Sequence, residues 1–250
     1  MNYKYLIKRL AAFFIDASIV YLLIFCITNI KYLNPVYDKQ SADTKEYLAL
    51  TMDYATSTVY FQNYYEDKEI SEEEYTKLIK DNQNFSYLFV DAYSDSKIDE
   101  EEYENILNKV DEIYKEKQPT VYYNYQRSAW YTYLVYIIIY LLYFVGFNII
   151  TKGQTLGKKL MNLEITTINN TTPNAIQYLI RSVIVYNIGI YFLNLITPFI
   201  VGPEKILEVS NIIMIIEWVI EFAVVLSTLL NKENRGIHDY LAKTKVEFIK

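Results

Sequence analysis

The chain has 250 residues, of which 52% are hydrophobic and 16% aromatic, yet its mean hydropathy is only +0.03. That average hides a segregation, because four stretches are almost free of charge and one central stretch is rich in it. The net charge of −6 argues against a nucleic-acid-binding protein, since neutralising phosphates requires a basic surface. The single cysteine, Cys26, excludes an internal disulfide bond.

The four apolar stretches are each long enough to cross a membrane as a helix, which takes about 20 residues. In chain order they are residues 10–30, 129–150, 177–201 and 211–230. The first resembles a signal peptide because Lys4, Lys8 and Arg9 precede it, but its length favours an uncleaved signal anchor. The sequence therefore predicts an all-α membrane protein with four transmembrane helices.

The distribution of lysine and arginine predicts which way the helices cross the membrane. These residues are concentrated in the short segments 1–9, 151–176 and 231–250, whereas the segment between the third and fourth stretches has only Lys205. We therefore expect both termini and the loop 151–176 at the cytoplasmic face of the cell membrane. The long segment 31–128 is expected on the outside.

Residues 31–128 form an acidic insertion, with 21 Asp and Glu residues against 11 Lys and Arg residues. Apolar residues at three- and four-residue spacings predict helices at about 42–65, 72–93 and 100–117, with Pro119 ending the last. A weak repeat relates residues 68–80 to residues 96–108. In both copies a capping residue, Ser71 or Asp99, stands three positions before a glutamate, as at a helix start.

A calcium-binding loop is the alternative interpretation of the second copy. The window that ends at Glu102 places Asp91, Asp95 and Asp99 at the first, fifth and ninth EF-hand positions. The sixth position, which requires glycine for a sharp turn, is Ser96, and the equivalent window in the first copy fits worse. The sequence therefore favours capped acidic helices over calcium binding.

The segment GQTLGKKL, residues 153–160, is similar to a phosphate-binding loop, which reads G-x-x-x-x-G-K-[ST]. Only three residues separate Gly153 from Gly157, and Lys159 stands where a hydroxyl residue would reach magnesium. An apolar helix precedes the segment, where a phosphate-binding loop has a buried strand. The sequence therefore argues against nucleotide binding, and it predicts no cofactor.

Three separate stretches of the chain resemble the RDD family of bacterial membrane proteins, which is named for one arginine and two aspartates. RLAAFFIDASI supplies Arg9 and Asp16. GQTLGKKLMNLEI supplies a loop motif with Gly153, Thr155, Gly157 and Lys158. NRGIHDYLAKTKV supplies Arg235, His238, Asp239 and Thr244.

The resemblance covers the chain apart from the acidic insertion and implies an integral membrane protein, for which transport is the usual suggestion. It assigns Asp239 as the second aspartate of the family name. The chain departs from the family at Asn162, where glycine is frequent, and at Thr166 and Thr167, where an acidic residue is frequent.

Asp16 lies inside the first apolar stretch and shares a helix face with Arg9. A carboxylate at membrane depth costs about 2.5–3.5 kcal/mol, so it needs a partner or a water-filled cavity. Asp16 is therefore either a cation or proton site or a buried anchor, and the candidate partners of an anchor are Asn148, Asn187 and Arg181.

Glu217 and Glu221 lie four residues apart in the fourth stretch, where two carboxylates repel unless one is protonated or a cation lies between them. We interpret Asp16, Glu217 and Glu221 as candidate ion-binding residues, with Arg9 and Arg181 as charge partners. The alternative for the two glutamates is exposure in an outer vestibule.

An aromatic stripe follows one face of the second apolar stretch, at alternating three- and four-residue spacings. Its members are Tyr133, Tyr136, Tyr140, Tyr143 and Phe147. The spacing favours packing against neighbouring helices over a polar pathway lined by hydroxyl groups.

The segment after the fourth stretch carries the only histidine, His238, which excludes a multi-histidine metal site. One interpretation is an interfacial turn that holds His238 and Arg235 at head-group level. We prefer a structural role in which Asp239 bonds this turn to the GQTLGKKL loop. The alternating segments 163–168 and 245–249 predict two strands that pair with each other.

These features predict a small transporter of unknown substrate in the lipid bilayer, coupled to a cation or a proton. We expect a homo-oligomer, because four helices alone enclose only a thin-walled pathway. The alternative is a non-transporting membrane adaptor whose acidic insertion binds a protein partner. No catalytic set is recognisable, so the sequence does not predict an enzyme.

Overall fold

The computed structural model describes residues 3–67, 72–88, 100–231 and 233–249. The described chain is mainly helical, with one small two-stranded sheet. It divides into two compact units. We call residues 1–37, 129–200 and 208–250 the apolar unit, and residues 38–128 with 201–207 the insertion unit.

The helices in chain order are α1 (Tyr3–Asn29), α2 (Tyr37–Asp67), α3 (Glu72–Asp81), α4 (Glu100–Ser128), α5 (Trp130–Tyr140), α6 (Asn148–Ile150), α7 (Leu156–Leu160), α8 (Ala175–Val185), α9 (Ile188–Ile200), α10 (Pro203–Leu230) and α11 (Ile237–Leu241). A π-helical segment, Leu141–Phe147, joins α5 to α6. The strands are β1 (Leu163–Thr167) and β2 (Thr244–Phe248).

Within the described residues, three helical stretches are long and apolar enough to cross a membrane, namely Tyr5–Asn29, Trp130–Ile150 and Pro203–Leu230. Helices α8 and α9 pass the same test only as a pair, bent by 68°. The predicted continuous helix 177–201 is therefore wrong, and four crossings result only if this pair counts as one. At the break, Asn187 has a φ of 48°, a left-handed conformation that ends helices and that asparagine tolerates well.

Aromatic side chains pack α5 and the π-helical segment against the bent pair. The ring of Tyr136 stacks on that of Tyr191 with centroids 4.7 Å apart, and the ring of Phe144 stacks on that of Tyr186. The packing interpretation of the aromatic stripe is thereby confirmed for Tyr136. Large aromatic rings contribute much of the buried apolar area here, which favours one fixed arrangement of these helices.

Strands β1 and β2 pair antiparallel with Ile165 opposite Val246, so the predicted pairing of segments 163–168 and 245–249 is confirmed. Leu163 and Ile165 are buried together with Tyr178 of α8 in one apolar cluster. Asn162, directly before β1, has a φ of 57°, the conformation that glycine adopts most readily. The sheet therefore holds the loop after α6 and the C-terminal segment in one place.

The insertion unit has its own apolar core, formed by Leu50, Phe85, Ile106 and Val110. The predicted helix 72–93 begins at Glu72 as expected, but α3 ends at Asp81 and a turn follows, so the predicted length is wrong; residues 89–93 lie outside the described residues.

The turn after α3 is held by α2. The buried amide of Asn82 donates to the carbonyl oxygen of Asp53 at 3.0 Å. The Asp53 carboxylate in turn accepts from the backbone N–H groups of Gln83 and Asn84, at 3.1 and 3.0 Å. These bonds to α2 satisfy polar groups of the turn that have no helical hydrogen bonds of their own.

Pro119 lies inside α4 instead of ending a helix, so that prediction is also wrong. An interior proline costs about 3 kcal/mol because it removes a hydrogen bond and crowds the preceding turn. Stacked tyrosine pairs join α2 to α4 on both sides of it, Tyr54 on Tyr114 at 3.9 Å and Tyr47 on Tyr125 at 4.9 Å. This packing offsets the local cost and extends the helix to Ser128.

The calcium interpretation depends on Asp91, Asp95, Ser96 and Asp99, which lie outside the described residues. Ser71, the capping residue of the first copy, lies outside them as well.

Candidate functional site

Asp16, a buried carboxylate of α1, accepts hydrogen bonds from three donors. The Tyr143 hydroxyl and the backbone N–H of Gly157 donate to Oδ1 at 2.8 and 2.7 Å, and the Thr155 hydroxyl donates to Oδ2 at 2.5 Å. The side chain is only 1% exposed. Donors from the π-helical segment and from the loop therefore replace the water that this anion would otherwise bind.

The GQTLGKKL loop lies directly over α1 at this point. A side chain at position 157 would press against the carbonyl oxygen of Ala12 and lie 2.9 Å from the Asp16 carboxyl group. Glycine at 157 thus permits a backbone N–H group to approach an anion, as in a phosphate-binding loop. Here the anion is the protein's own Asp16, and this contact explains the motif without a nucleotide.

Lys158 is buried beside the same carboxylate and donates from Nζ to the Thr155 hydroxyl oxygen at 3.0 Å. Burial lowers the pKa of Lys158 to about 7; the charges of Arg181 and Arg9 lower it too, and that of Asp16 raises it. Lys158 is therefore an amine that can change its charge near neutral pH.

The partners that the sequence suggested for a buried Asp16 are wrong. Asn148, Asn187 and Arg181 bond elsewhere, to Phe144, Glu221 and Asp239 respectively. The contacts of Asp16 nevertheless favour an anchor over a cation ligand, because its oxygens face hydrogen-bond donors and an amine, whereas a cation needs a shell of acceptors.

Asp239 of α11 is the second buried carboxylate, with no exposed surface, and it lies between two arginines from distant helices. Arg9 of α1 donates from Nη2 to Oδ2 at 3.2 Å, and Arg181 of α8 pairs with Oδ1. Arg9 also donates to the backbone carbonyl oxygen of Asn234. The two arginines that were expected to accompany the ion ligands are thus partners of Asp239.

Neutral donors complete the surroundings of Asp239. The N–H of Gly236 and the hydroxyl of Thr244 each lie 3.3 Å from a carboxylate oxygen, and His238 Nε2 lies 3.2 Å from Oδ2. The expectation that Asp239 bonds to the GQTLGKKL loop is therefore wrong. Its bonds run to α1, α8 and the start of β2, because those elements carry the available cations and hydroxyl.

His238 is buried, with 3% exposure, so its ring is covered by protein, whereas the interfacial interpretation had it facing lipid head groups. Burial, followed by the charges of Arg181 and Arg9, holds the pKa of His238 well below its usual range. This favours the neutral ring, whose Nε2 lies 3.2 Å from Asp239 Oδ2. Arg235 covers the same turn, with its guanidinium 4.2 Å from the ring centroid of Tyr240 and its Nε donating to the Thr244 carbonyl oxygen at 3.1 Å.

A cavity of about 460 Å³ lies between α1, α8 and α10, and its lining includes Asp16 and the two arginines that pair with Asp239. Most of its lining is aliphatic or aromatic. The acidic and basic side chains in its lining are those of Arg9, Asp16, Lys158, Arg181, Glu221 and His238.

Of the two candidate ion-binding glutamates, Glu217 and Glu221, only Glu221 is among the described residues that line this cavity. Its Oε1 accepts a hydrogen bond from the side-chain amide of Asn187 at 3.1 Å, and Asn187 is the residue at which α8 and α9 separate. Glu217 lies one turn earlier. In the described part of the chain, no group of three His, Cys, Asp or Glu side chains could hold a metal ion.

Sequence reasoning missed the functional contacts of two residues, Tyr143 and Asn187. Tyr143 was grouped with the packing stripe, yet its hydroxyl bonds to Asp16. The π-helical turn that contains it is not encoded by any spacing that we recognised, although such turns recur at functional sites. Asn187 carried a weak signal, since a lone polar residue inside an apolar stretch needs a polar partner.

Comparison with known proteins adds one decisive observation. The model of the RDD family matches residues 85–243, which is more than half of the chain. The chain belongs to the RDD family. This is a family of bacterial membrane proteins, in agreement with the apolar helices of this RDD protein. Neither a curated protein nor a solved structure matches it.

The matched range corrects the expected extent of the RDD resemblance. It includes the loop, the bent pair, α10 and Asp239, but it also includes residues 85–128 of the insertion. It omits residues 244–250, with Thr244, and residues 1–84, with Arg9 and Asp16. In the structure these two side chains still join α1 to the matched part, because each bonds to a residue within it, Asp239 or Gly157.

We predict that Gly157→Ala destabilises the RDD protein by about 1–3 kcal/mol, the usual cost of overpacking a closed contact. The added methyl group would collide with α1 at the Asp16 carboxyl group. Gly189→Ala is the matched control, since a methyl group there meets no described atom within 4 Å. Thermal unfolding in detergent measures both, and equal stability of the two variants would contradict the contact.

We predict that Asp239→Asn destabilises the protein by about 3–5 kcal/mol, because it leaves two arginines buried without their anion. Glu233→Gln is the control: it neutralises the acid of an exposed ion pair with Arg235, and such pairs contribute at most about 1 kcal/mol. Folded yield by size-exclusion chromatography and the unfolding midpoint report the difference. A stable Asp239→Asn variant would show that this carboxylate does not hold the helices.

Lys158 predicts a pH dependence of stability. Its pKa is about 7 in the folded protein and about 10.4 in an unfolded chain, so between these values the unfolded state binds more protons and stability rises with pH. From pH 7 to 9 the gain is about 2 kcal/mol. The stability of each protein is measured at pH 7 and pH 9 from its unfolding by a denaturing detergent. Lys158→Met should lose this gain, whereas Lys159→Met, which changes an exposed lysine, should keep it. A parallel pH profile for all three proteins would contradict the low pKa.

Proposed function

We propose that the protein is a small membrane transporter coupled to a cation or a proton, with Glu221 as the ion-binding carboxylate. The observation that carries the proposal is the hydrogen bond between Glu221 and Asn187, at the break of the bent helix pair and beside the cavity. An ionisable residue within an apolar helix is costly, and such residues mark ion or proton pathways in many membrane proteins.

The break between α8 and α9 supports this role. Irregular backbone at membrane depth is tolerated only where protein buries it or where it borders a water-filled cavity. Discontinuous helices supply binding sites in many transporters for that reason, since their ends expose unpaired backbone groups. Asn187 provides an amide at this break, and its Oδ1 has no hydrogen-bond partner among the described residues.

The candidate residues take different parts in this proposal. Glu221 exchanges the proton or cation, and Glu217, one turn away and outside the cavity lining, has a lesser part. Asp16 serves as the anchor of the loop, because three donors already occupy its oxygens. Arg9 and Arg181 hold α1 and α8 to the C-terminal segment through Asp239.

The proposal includes a topology and an assembly. We place both termini and the loop 151–176 on the cytoplasmic side of the cell membrane and residues 38–128 outside, in accord with the distribution of lysine and arginine. Helix α10 leaves most of its apolar surface uncovered within one chain, since only 6% of its apolar 18-residue segment is buried. Lipid and neighbouring copies of the chain in a homo-oligomer are the expected contacts of this surface.

Flux measurements in liposomes test the transport proposal. Internal pH is followed by a dye while sodium, potassium or proton gradients are imposed on the wild type, Glu221→Gln and Glu217→Gln. We expect wild-type flux, its reduction to the level of empty liposomes in Glu221→Gln, and retention of most of it in Glu217→Gln, since only Glu221 borders the cavity. Full activity of folded Glu221→Gln would remove this carboxylate from the mechanism.

A non-transporting adaptor is the second candidate function. The observation in its favour is that the insertion unit has an apolar core of its own and is strongly acidic, so it can present a surface independently of the helices. A folded wild type that carries no flux under any gradient would support the adaptor. Affinity purification of the full chain, with and without residues 38–128, would then identify the partner.

A further inference from the structure

The cationic end of the cavity has more positive than negative charge. Arg9 and Arg181 share one carboxylate, Asp239, while the neighbouring His238 ring is neutral. At the adjoining wall Lys158 offsets Asp16 in its protonated form, which is the form that a bound anion would favour. A buried cation that is only half compensated is costly, so an anion from outside the chain would be bound favourably here.

Hydrogen-bonding capacity remains unused at this end. Arg181 donates from Nη1 in its described contacts, yet a guanidinium group has five N–H donors. His238 lines the cavity, and its Nδ1 is buried without a hydrogen-bond partner among the described residues. A buried polar atom without a partner is rare in folded proteins and points to a group that is bound there in the functional state.

The other walls of the cavity are apolar and reach the outer surface of the helices. Val224, Val225 and Leu229 line it from one face of α10, and Ile7 and Leu10 line it from α1. Ile7 and Val225 are 67% and 53% exposed. Both belong to helices that are long and apolar enough to cross a membrane, which favours an opening toward the lipid phase.

We propose that this cavity binds, from the lipid phase, a single-chain amphiphile with an acidic head group, such as an alkyl phosphate. The head-group oxygens accept from Arg181 and Arg9, and the remaining proton of the monoester is donated to His238 Nδ1. The chain lies between α1 and α10. The volume of about 460 Å³ falls within the range of about 300–1,000 Å³ that holds small organic ligands.

The acidic residues of the cavity are compatible with this occupant. Asp16 is covered by its three donors and by Lys158. Glu221 lies two helical turns before Thr228 on α10, roughly 10 Å along the axis, and Thr228 borders the His238 end. The head group and Glu221 therefore occupy opposite ends, and the binding of the amphiphile does not depend on ion transport.

Native mass spectrometry of the full-length protein in a non-ionic detergent tests the proposal. The probes are octyl phosphate, its cationic counterpart octylamine, and inorganic phosphate, which lacks the chain. Wild type should retain one octyl phosphate and neither of the other two. Val224→Trp, which fills the cavity, should weaken octyl phosphate binding about tenfold, the factor that about 1.4 kcal/mol produces.

Val219→Trp is the matched control, because it adds the same side chain to an exposed position of α10 outside the cavity and should bind octyl phosphate normally.

Equal retention of octylamine would overturn the cationic head-group site. Equal retention of inorganic phosphate would overturn the lipid-phase source, and unaltered binding by folded Val224→Trp would overturn the location. The comparison of probes on the wild type decides the question even if Val224→Trp does not fold. Because no ion gradient is involved, failure here is distinct from failure of the flux measurement.

Discussion

The ion pairs of Asp239 with Arg9 and Arg181 are the interaction on which the apolar unit depends. They join the first helix, the bent pair and the C-terminal turn, which are far apart in the chain. A carboxylate with no exposed surface is tolerated only if its charge and its hydrogen-bond acceptors are all met. These elements therefore have to dock together, and once they do, β2 follows directly into place beside β1.

Asp16 of α1 is likewise a buried carboxylate whose oxygens are bonded to donors, but its donors differ from those of Asp239. Here a hydroxyl from the π-helical segment, a threonine and a glycine N–H replace the arginines. The two clusters form adjoining walls of one cavity, whose remaining surface is apolar. The cavity thus has charged side chains on one side and aliphatic side chains on the others, a combination suited to binding a charged group next to a membrane.

Several features followed from local sequence patterns alone. The apolar stretches, the strand pairing and the separation of an acidic insertion depend on hydropathy and periodicity, which act over short distances along the chain. The pairing of charges did not follow, since Arg181 and Asp239 are joined only by the docking of α11 on α8. The same limit explains Pro119, whose local preference to end a helix is outweighed by tyrosine stacking against α2.

The sequence by itself determined that this chain has membrane-spanning helices, and it marked Arg9, Asp16, the glycine loop and Asp239 as special, because charges and glycines are conspicuous against an apolar background. Tertiary structure decided what each one touches. It turned a phosphate-loop-like segment into the cap of a carboxylate, placed His238 in the interior and bent the third stretch at Asn187 so that it meets Glu221. The physical reason is that a buried polar group is satisfied by whichever partner the packing of distant helices brings within reach.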